Sequence, residues 1–302
     1  MLPSGSQMKQ TARAALKKHW FGAVAVVGLF LSVSLLLALC EEMVRYFFHI
    51  GAAGDALTTM LNTAVLSTGS LLPLAVTAGG FVLNCLIMCP LLLGLTRYFL
   101  MLVYGQNPSV GELFFHFSSA AVFGRALLMR VLLYLRVLAW MLLCFLPALI
   151  CLAFSLPPIY SLFGLADGDA IVALFNTLSV LFVPVGLLAL GFILPRYFLV
   201  SALINTEPSW SAGKCINRSI RYTQKRRVTI FGFLLSFIGW MLLCVFALPI
   251  LFVFPFFYAS SAVLEAHLLA AGRQIEQQQM LTTAAPATPV FQMPETLPHA
   301  HS

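Results

Sequence analysis

The chain has 302 residues, 61% of them hydrophobic and only 9% charged, with a formal net charge of +7 and a mean hydropathy of +0.96. Soluble domains carry roughly 25% charged residues, so these proportions exclude a water-soluble globular fold, and nucleic acid is not an expected partner. The composition belongs in a bilayer.

Lipid offers no partner to backbone N–H and C=O groups, so a chain that crosses it must be helical or close into a barrel. Long apolar runs read as helices. Six such runs come near the ~20 residues that cross ~30 Å of hydrocarbon: about 20–39, 72–95, 137–156, 170–194, 228–247 and 250–270. The expected fold is all-α: a polytopic membrane helix bundle of six transmembrane helices over residues 1–272, with basic interfacial helices and a disordered cytoplasmic tail over 273–302.

In the leader, Lys9, Arg13 and Lys17 recur every four residues, with Met8, Ala12, Ala15 and Leu16 largely on the other side. This pattern predicts a helix lying along the membrane surface before the first span. The apolar run behind it is too long for a cleavable signal peptide and no small-residue cleavage pattern follows, so the first span is expected to stay. After Cys40 the text turns acidic and mixed, through Glu41, Glu42, Arg45, His49 and Asp55. That reads as an external connection, with a short interfacial helix around 43–50.

Span two holds Asn84, then Cys85 and Cys89 one turn apart, then Pro90. Proline removes a backbone hydrogen bond and crowds the preceding turn, which predicts a kink. Beyond it, Pro108-Ser109 with Glu112 three positions on resembles a helix N-cap. A helical lead-in with Arg125, Arg130 and Arg136 precedes span three. Because charge inside a membrane is costly, all three are expected to sit at or snorkel to the cytoplasmic interface. Asp167 and Asp169 mark a second external loop, and span four carries Asn176, Thr177 and Pro184. Past the last span, the glutamines at 277–279 and four prolines between Pro286 and Pro298 give a composition that cannot bury enough apolar surface to order itself.

Two passages share their text. From Pro108 and Pro208, through Ser119 and Ser219, to Trp140 and Trp240 and on to Cys144 and Cys244, the offset stays at 100 residues, and each passage follows an Arg-Tyr-Phe-Leu segment beginning at Arg97 or Arg196. The units, about 97–144 and 196–244, read as parallel internal repeats. Each is expected to be a surface helix followed by a span, with the two tryptophans at equivalent depth. Of the seventeen Lys and Arg residues, only Arg45 falls outside the leader, the two basic connections and the C-terminal end. The positive-inside rule then places both termini in the cytoplasm.

The order of a Pro-Ser start, a basic segment and Leu235-Ser236-Phe237-Ile238-Gly239-Trp240-Met241-Leu242-Leu243 is followed by a short turn at Leu248-Pro249 and an aromatic-rich last span. This order resembles the bacterial integral-membrane family catalogued as domain of unknown function nine-seven-five. That family is itself similar to the membrane domain attached to some glycerophosphoryl diester phosphodiesterases. The resemblance is best over 194–269 and departs between Pro147 and about Val185. It implies a six-span fold in the bacterial cytoplasmic membrane, and it transfers no catalytic or ligand residue.

Lys214, Arg218, Arg221 and Lys225 are spaced four, three and four, which puts them within ~60° of one another on a helix, opposite Ala212, Ile216 and Ile220. Such a stripe can hold anionic lipid headgroups at ~1 kcal/mol per basic residue, or serve only to anchor and orient the helix. Glu112 and His116 share a helical spacing, but the second repeat has Ala212 and Ile216 there, and a metal would need further ligands. Cys85 and Cys89 share a face without a neighbouring His or acid, which suits close packing of helices. No Asp, Glu or His falls in the apolar part of a span, Glu265 and His267 coming near the cytoplasmic end of the last. Neither a P-loop nor a nucleophile elbow is present. The reading is a protein that is not an enzyme and holds no cofactor or metal. One function class is an accessory, organising or lipid-interacting membrane protein, with a membrane-protein partner or a second copy of itself. The alternative is a transporter or flippase of a lipid-like molecule, with a mid-membrane site drawn from Asn84, Arg136, Asn176, Thr177 and Ser236.

Overall fold

The structure, a computed structural model, describes residues 5–48, 71–154, 169–244 and 249–284. Among these the regular elements are helical, with no strand. Helix α1 runs over Gly5–Phe47, α2 over Leu71–Val103 and α3 over Ala120–Phe154. A 3-10 segment at Val110–Phe117 joins α2 to α3. Helix α4 covers Asp169–Ile193 and passes through a 3-10 turn at Leu194–Tyr197 into the short α5, Val200–Thr206. Then come α6, Ala212–Thr223, α7, Arg227–Leu235, α8, Ile238–Leu243, and α9, Ile250–Ala284. Five helices are long and apolar enough to cross a membrane. A sixth crossing is available if α6 and the segment Arg227–Leu243, bent by 90° at their junction, form one span. The all-α membrane bundle expected from composition is the fold observed.

The core lies where α2, α5 and α9 meet α1. Tyr98 and Phe99 of α2 and Leu203 of α5 are buried with Ala259, Val263 and Leu264 of α9. Phe99 stacks on Tyr258 with ring centroids 5.7 Å apart. The outer faces are the reverse of a soluble protein's: Val180 and Leu188 of α4 are 70% and 69% exposed, as suits side chains turned to lipid rather than to water.

The leader does form a helix, and its apolar face is Met8, Ala12 and Leu16, all buried. Backbone angles of φ −125° and ψ 24° at His19 kink α1 there, which separates leader from span. Lys9 and Arg13 lie over the rings of Phe237 and Phe256, at 4.6 and 5.3 Å. The leader is therefore docked on α9 and on the α7–α8 junction as well as being amphipathic.

Two expectations change. Helix α1 does not end at Cys40: it continues to Phe47, because Arg45 turns inward, 2% exposed, to reach Glu41 at 2.8 Å on the same helix and Thr77 of α2 at 3.1 Å. The remainder of that connection, 49–70, lies outside the described residues. Pro90 sits inside α2, which continues through it, and its neighbours Cys89 and Leu91 are buried. Helix α9 continues through 273–284, where Arg273 pairs with Glu207 and Glu276 with Arg218, so the tail boundary placed near Arg273 falls within a helix. The remaining tail, from 285, lies outside the described residues.

The repeat units differ in shape. In unit two, α6 is followed after a 90° bend by the segment Arg227–Leu243. Unit one breaks earlier, at Ser118 and Ser119, and α3 then runs unbroken through 120–154. The local chemistry differs as well. Thr223 Oγ1 donates to the carbonyls of Ser219 and Arg196. Unit one has Phe123-Gly124-Arg125 there, while the backbone N–H of Val122 is capped by Ser119. Trp140 donates to the Tyr197 hydroxyl at 3.1 Å, whereas Trp240 meets the edge of Phe256.

Gly94 marks the tightest approach. A Cβ at this position would run into the backbone carbonyl of Leu113, which cannot swing aside as a side chain can. Gly94→Ala should therefore destabilise the bundle by about 1–3 kcal/mol, read as a lower melting temperature in detergent. Gly213→Ala, where nothing lies within 4 Å of the added carbon, should leave it unchanged or raised.

Candidate functional site

Helix spacing builds a polar cavity inside the apolar core. On α9, Tyr258, Ser261 and Glu265 follow one another at three and four residues and so share a face; on α2, Leu92, Thr96 and Phe99 do the same. These faces, with Arg130 from α3 and Ser201 from α5, line a cavity of about 240 Å3. Arg130, Glu265 and Ser261 are only 9%, 6% and 7% exposed. Thr96 satisfies its hydroxyl on its own helix, at the Leu92 carbonyl 3.0 Å away. The other three do not: Arg130 Nε, Glu265 Oε2 and Ser261 Oγ have no hydrogen-bond partner among the described residues, and no ion pair joins Arg130 to Glu265. Buried charge without a partner is expensive. The expectation that Arg130 snorkels to the interface is thus corrected: α3 begins at Ala120 and carries Arg130 inward, towards α9. Glu265 lies near the middle of α9, which extends to Ala284. The available signal in the sequence was Glu265 itself, an acid close behind the apolar run of the last span.

A second polar cluster joins the two repeat units. Arg97 Nε donates to Glu112 Oε2 at 2.7 Å, and its guanidinium lies 3.7 Å from the Phe115 ring. Arg125 donates to the carbonyls of Ile204, Glu207 and Pro208 at 2.8, 2.8 and 2.5 Å. These include free acceptors at the C-terminal end of α5, where a cation also meets the negative end of the helix dipole. His116 Nε2 stands 2.9 Å from Asn205 Oδ1. The Asn205 amide already donates to the carbonyls of Leu93 and Ser201, so Nε2 carries the imidazole proton. Glu112 and His116 thus face different partners, and among the described residues no three His, Cys, Asp or Glu side chains converge. Cys89 lies 4.0 Å from the Tyr134 hydroxyl.

Of the basic stripe, α6 presents what the spacing implies for three residues. The helix ends at Thr223, so Lys225 stands in the following turn, off the stripe. Ala212, Cys215, Ile216, Ser219 and Tyr222 are buried, and Lys214, Arg221 and Lys225 are exposed. Ser211 caps the helix by accepting from the Lys214 N–H. Lys214 and Arg218 lie over Trp210, at 4.6 and 5.5 Å, and Arg218 also forms an ion pair with Glu276 of α9. Three cations of the four therefore stay open to an external partner. The five residues offered for a mid-membrane site do not assemble. Arg136 donates to Asn217, Thr177 to the Ala173 carbonyl and Ser236 to the Phe233 carbonyl. Asn84 lines a separate cavity beside Glu41, and Asn176 is exposed on α4.

These features define a helical membrane protein with a basic amphipathic helix at one end of its bundle and a charged cavity within it. Residues 1–264 match the family described as "Protein of unknown function (DUF975)", and the chain belongs to that family. No curated protein and no solved structure matches the chain.

Burial holds His116 below the ordinary imidazole value, the neighbouring Arg97 and Arg125 adding to the effect against the Asn205 hydrogen bond. Its Nδ1 is buried without a partner among the described residues, so a proton there would bring charge with no acceptor. The folded state thus prefers the neutral ring, and the unfolded state takes up the proton first as pH falls. The stability that this residue contributes is complete above about pH 6.5 and is lost progressively below it. Melting temperatures of the wild type should therefore drop on acidification through this range, and His116→Gln should flatten that part of the profile.

Proposed function

We propose that the chain is a multi-pass protein of the bacterial cytoplasmic membrane, without enzymatic activity of its own, that engages anionic lipid at its cytoplasmic face. The observation that carries this reading is α6. Its apolar side is built into the core, it meets the next helix at 90°, its opposite side leaves Lys214 and Arg221 exposed, and the turn that follows leaves Lys225 exposed. Interfacial helices of this kind bind by burying one face while basic residues attract anionic headgroups. The leader supports the same reading: Arg13 and Lys17 stand with Trp20 and Trp240 beside an apolar cavity of about 420 Å3. Both termini lie in the cytoplasm by the positive-inside rule. The likeness to the membrane domain attached to some glycerophosphoryl diester phosphodiesterases belongs to this proposal too.

Replacing Lys214, Arg221 and Lys225 together with Gln, and leaving Arg218 to its Glu276 contact, should lower co-purified anionic lipid on the order of 100-fold in affinity, from ~1 kcal/mol per cation. Native mass spectrometry of both proteins in mixed-lipid nanodiscs reads this directly. Equal occupancy in samples of verified orientation would reduce the three cations to anchors. Orientation itself is checked separately: a reporter fused after Ala284 should behave as cytoplasmic, and one inserted near Gly168, which lies outside the described residues, as external. Labelling that placed Gly168 and Lys214 on one side would overturn the topology.

The cavity of Arg130 and Glu265 favours a second reading, a carrier of an amphipathic molecule, because carriers hold their cargo at polar sites inside the bundle.

A further inference from the structure

The geometry points to the cavity between α2, α3, α5 and α9 as a binding site for a zwitterion that carries an ammonium group at one end and an oxyanion at the other. Four observations carry it. Arg130 and Glu265, of opposite charge, line one cavity of about 240 Å3, yet no hydrogen bond or ion pair joins them. Arg130 Nε, Glu265 Oε2 and the Ser261 hydroxyl are buried without partners among the described residues. Arg130 cannot shed its charge, so an anion is needed to complement it. Aromatic rings line the same space, Phe99, Phe198, Phe257 and Tyr258.

Simpler occupants fail on charge. A lone anion that satisfied Arg130 would leave Glu265 Oε2 still without a partner, and a lone cation at Glu265 would face the guanidinium. A molecule with both groups meets both walls: its oxyanion takes donors from Arg130 and Ser261, and its ammonium takes Glu265 and the aromatic faces. At about 240 Å3 the space is smaller than the ~300–1,000 Å3 pockets of drug-sized ligands, which suits a head of the size of an aminoalkyl phosphate. Such a group reaches the cavity either as a phospholipid head, its chains directed to the exposed flanks of the helices, or as a free solute. The site is separate from α6 and requires binding only, so it stands whether or not the chain moves its ligand.

The test uses the full chain in nanodiscs. Phosphatidylethanolamine and phosphatidylglycerol, supplied as competitors, are read by native mass spectrometry, and free O-phosphorylethanolamine by calorimetry. Preference for phosphatidylethanolamine assigns the lipid source; binding of the free compound alone assigns the solute. Glu265→Gln and Arg130→Met should each weaken whichever binding is found by roughly 30-fold or more, as expected when one partner of a buried charge contact is removed. Both should fold, and Glu265→Gln should melt no lower than wild type, because the carboxyl group it replaces has no partner for its buried Oε2 in the empty site. Ser261→Ala, which alters neither charge nor fold, should weaken binding about fivefold. The α6 triple variant should bind the zwitterion as wild type does, which separates this site from the basic surface. Absence of both binding modes in the wild type, or unchanged binding in folded Glu265→Gln and Ser261→Ala proteins, overturns the assignment.

Discussion

Charge drawn into an apolar bundle must be met by a partner, and where this protein meets it decides which helices are neighbours. Arg45 ties α1 to α2 through Thr77. Arg97 holds the 3-10 segment through Glu112, and Arg125 reaches from α3 to the C-terminal carbonyls of α5. Arg218 and Arg273 bind α9 to α6 and to Glu207. Each contact costs desolvation, and breaking one costs more than the pair contributes, since it strands the other charge. Their value is specificity: lipid tails are as apolar as leucine, so hydrophobic contact alone does not choose among helix pairings.

Arg130 and Glu265 depart from that rule. They are brought into one cavity by the same bundle that gives acceptors to Arg45, Arg97 and Arg125, and no bond joins them to each other. Strain of this kind, held in place by surrounding packing, belongs to sites that do something other than stabilise the fold. The basic surface of α6 is of a different nature. Its exposed cations are inexpensive, and its role follows from where the buried face of the helix holds it.

The repeat shows how the same text can serve different ends. Both units begin with an arginine at the end of a helix, Arg97 and Arg196, and both place it over an aromatic ring, Phe115 in one case and Trp140 in the other. Beyond that point unit two bends by 90° between α6 and the segment Arg227–Leu243, while unit one gathers the equivalent residues into one long α3. That difference brings Arg130 to α9 and leaves Lys214 and Arg221 outside.

The all-helical membrane class, the helices available to cross, the amphipathic leader with Met8, Ala12 and Leu16 on one face, and the basic stripe of α6 are all legible in the amino-acid sequence by itself. Each depends on composition or on a period of 3.6 residues within one segment, which are properties of local sequence. The inward turn of Arg45 and Arg130, the continuation of α9 past Arg273, and the meeting of Thr96, Arg130, Ser261 and Glu265 are not. These residues are separated by tens of positions, and a side chain's surroundings depend on which helices pack together and at what rotation. A cost rule that assigns arginine to the interface is sound for an isolated helix; only the tertiary structure decides whether a neighbouring helix offers that arginine a place inside.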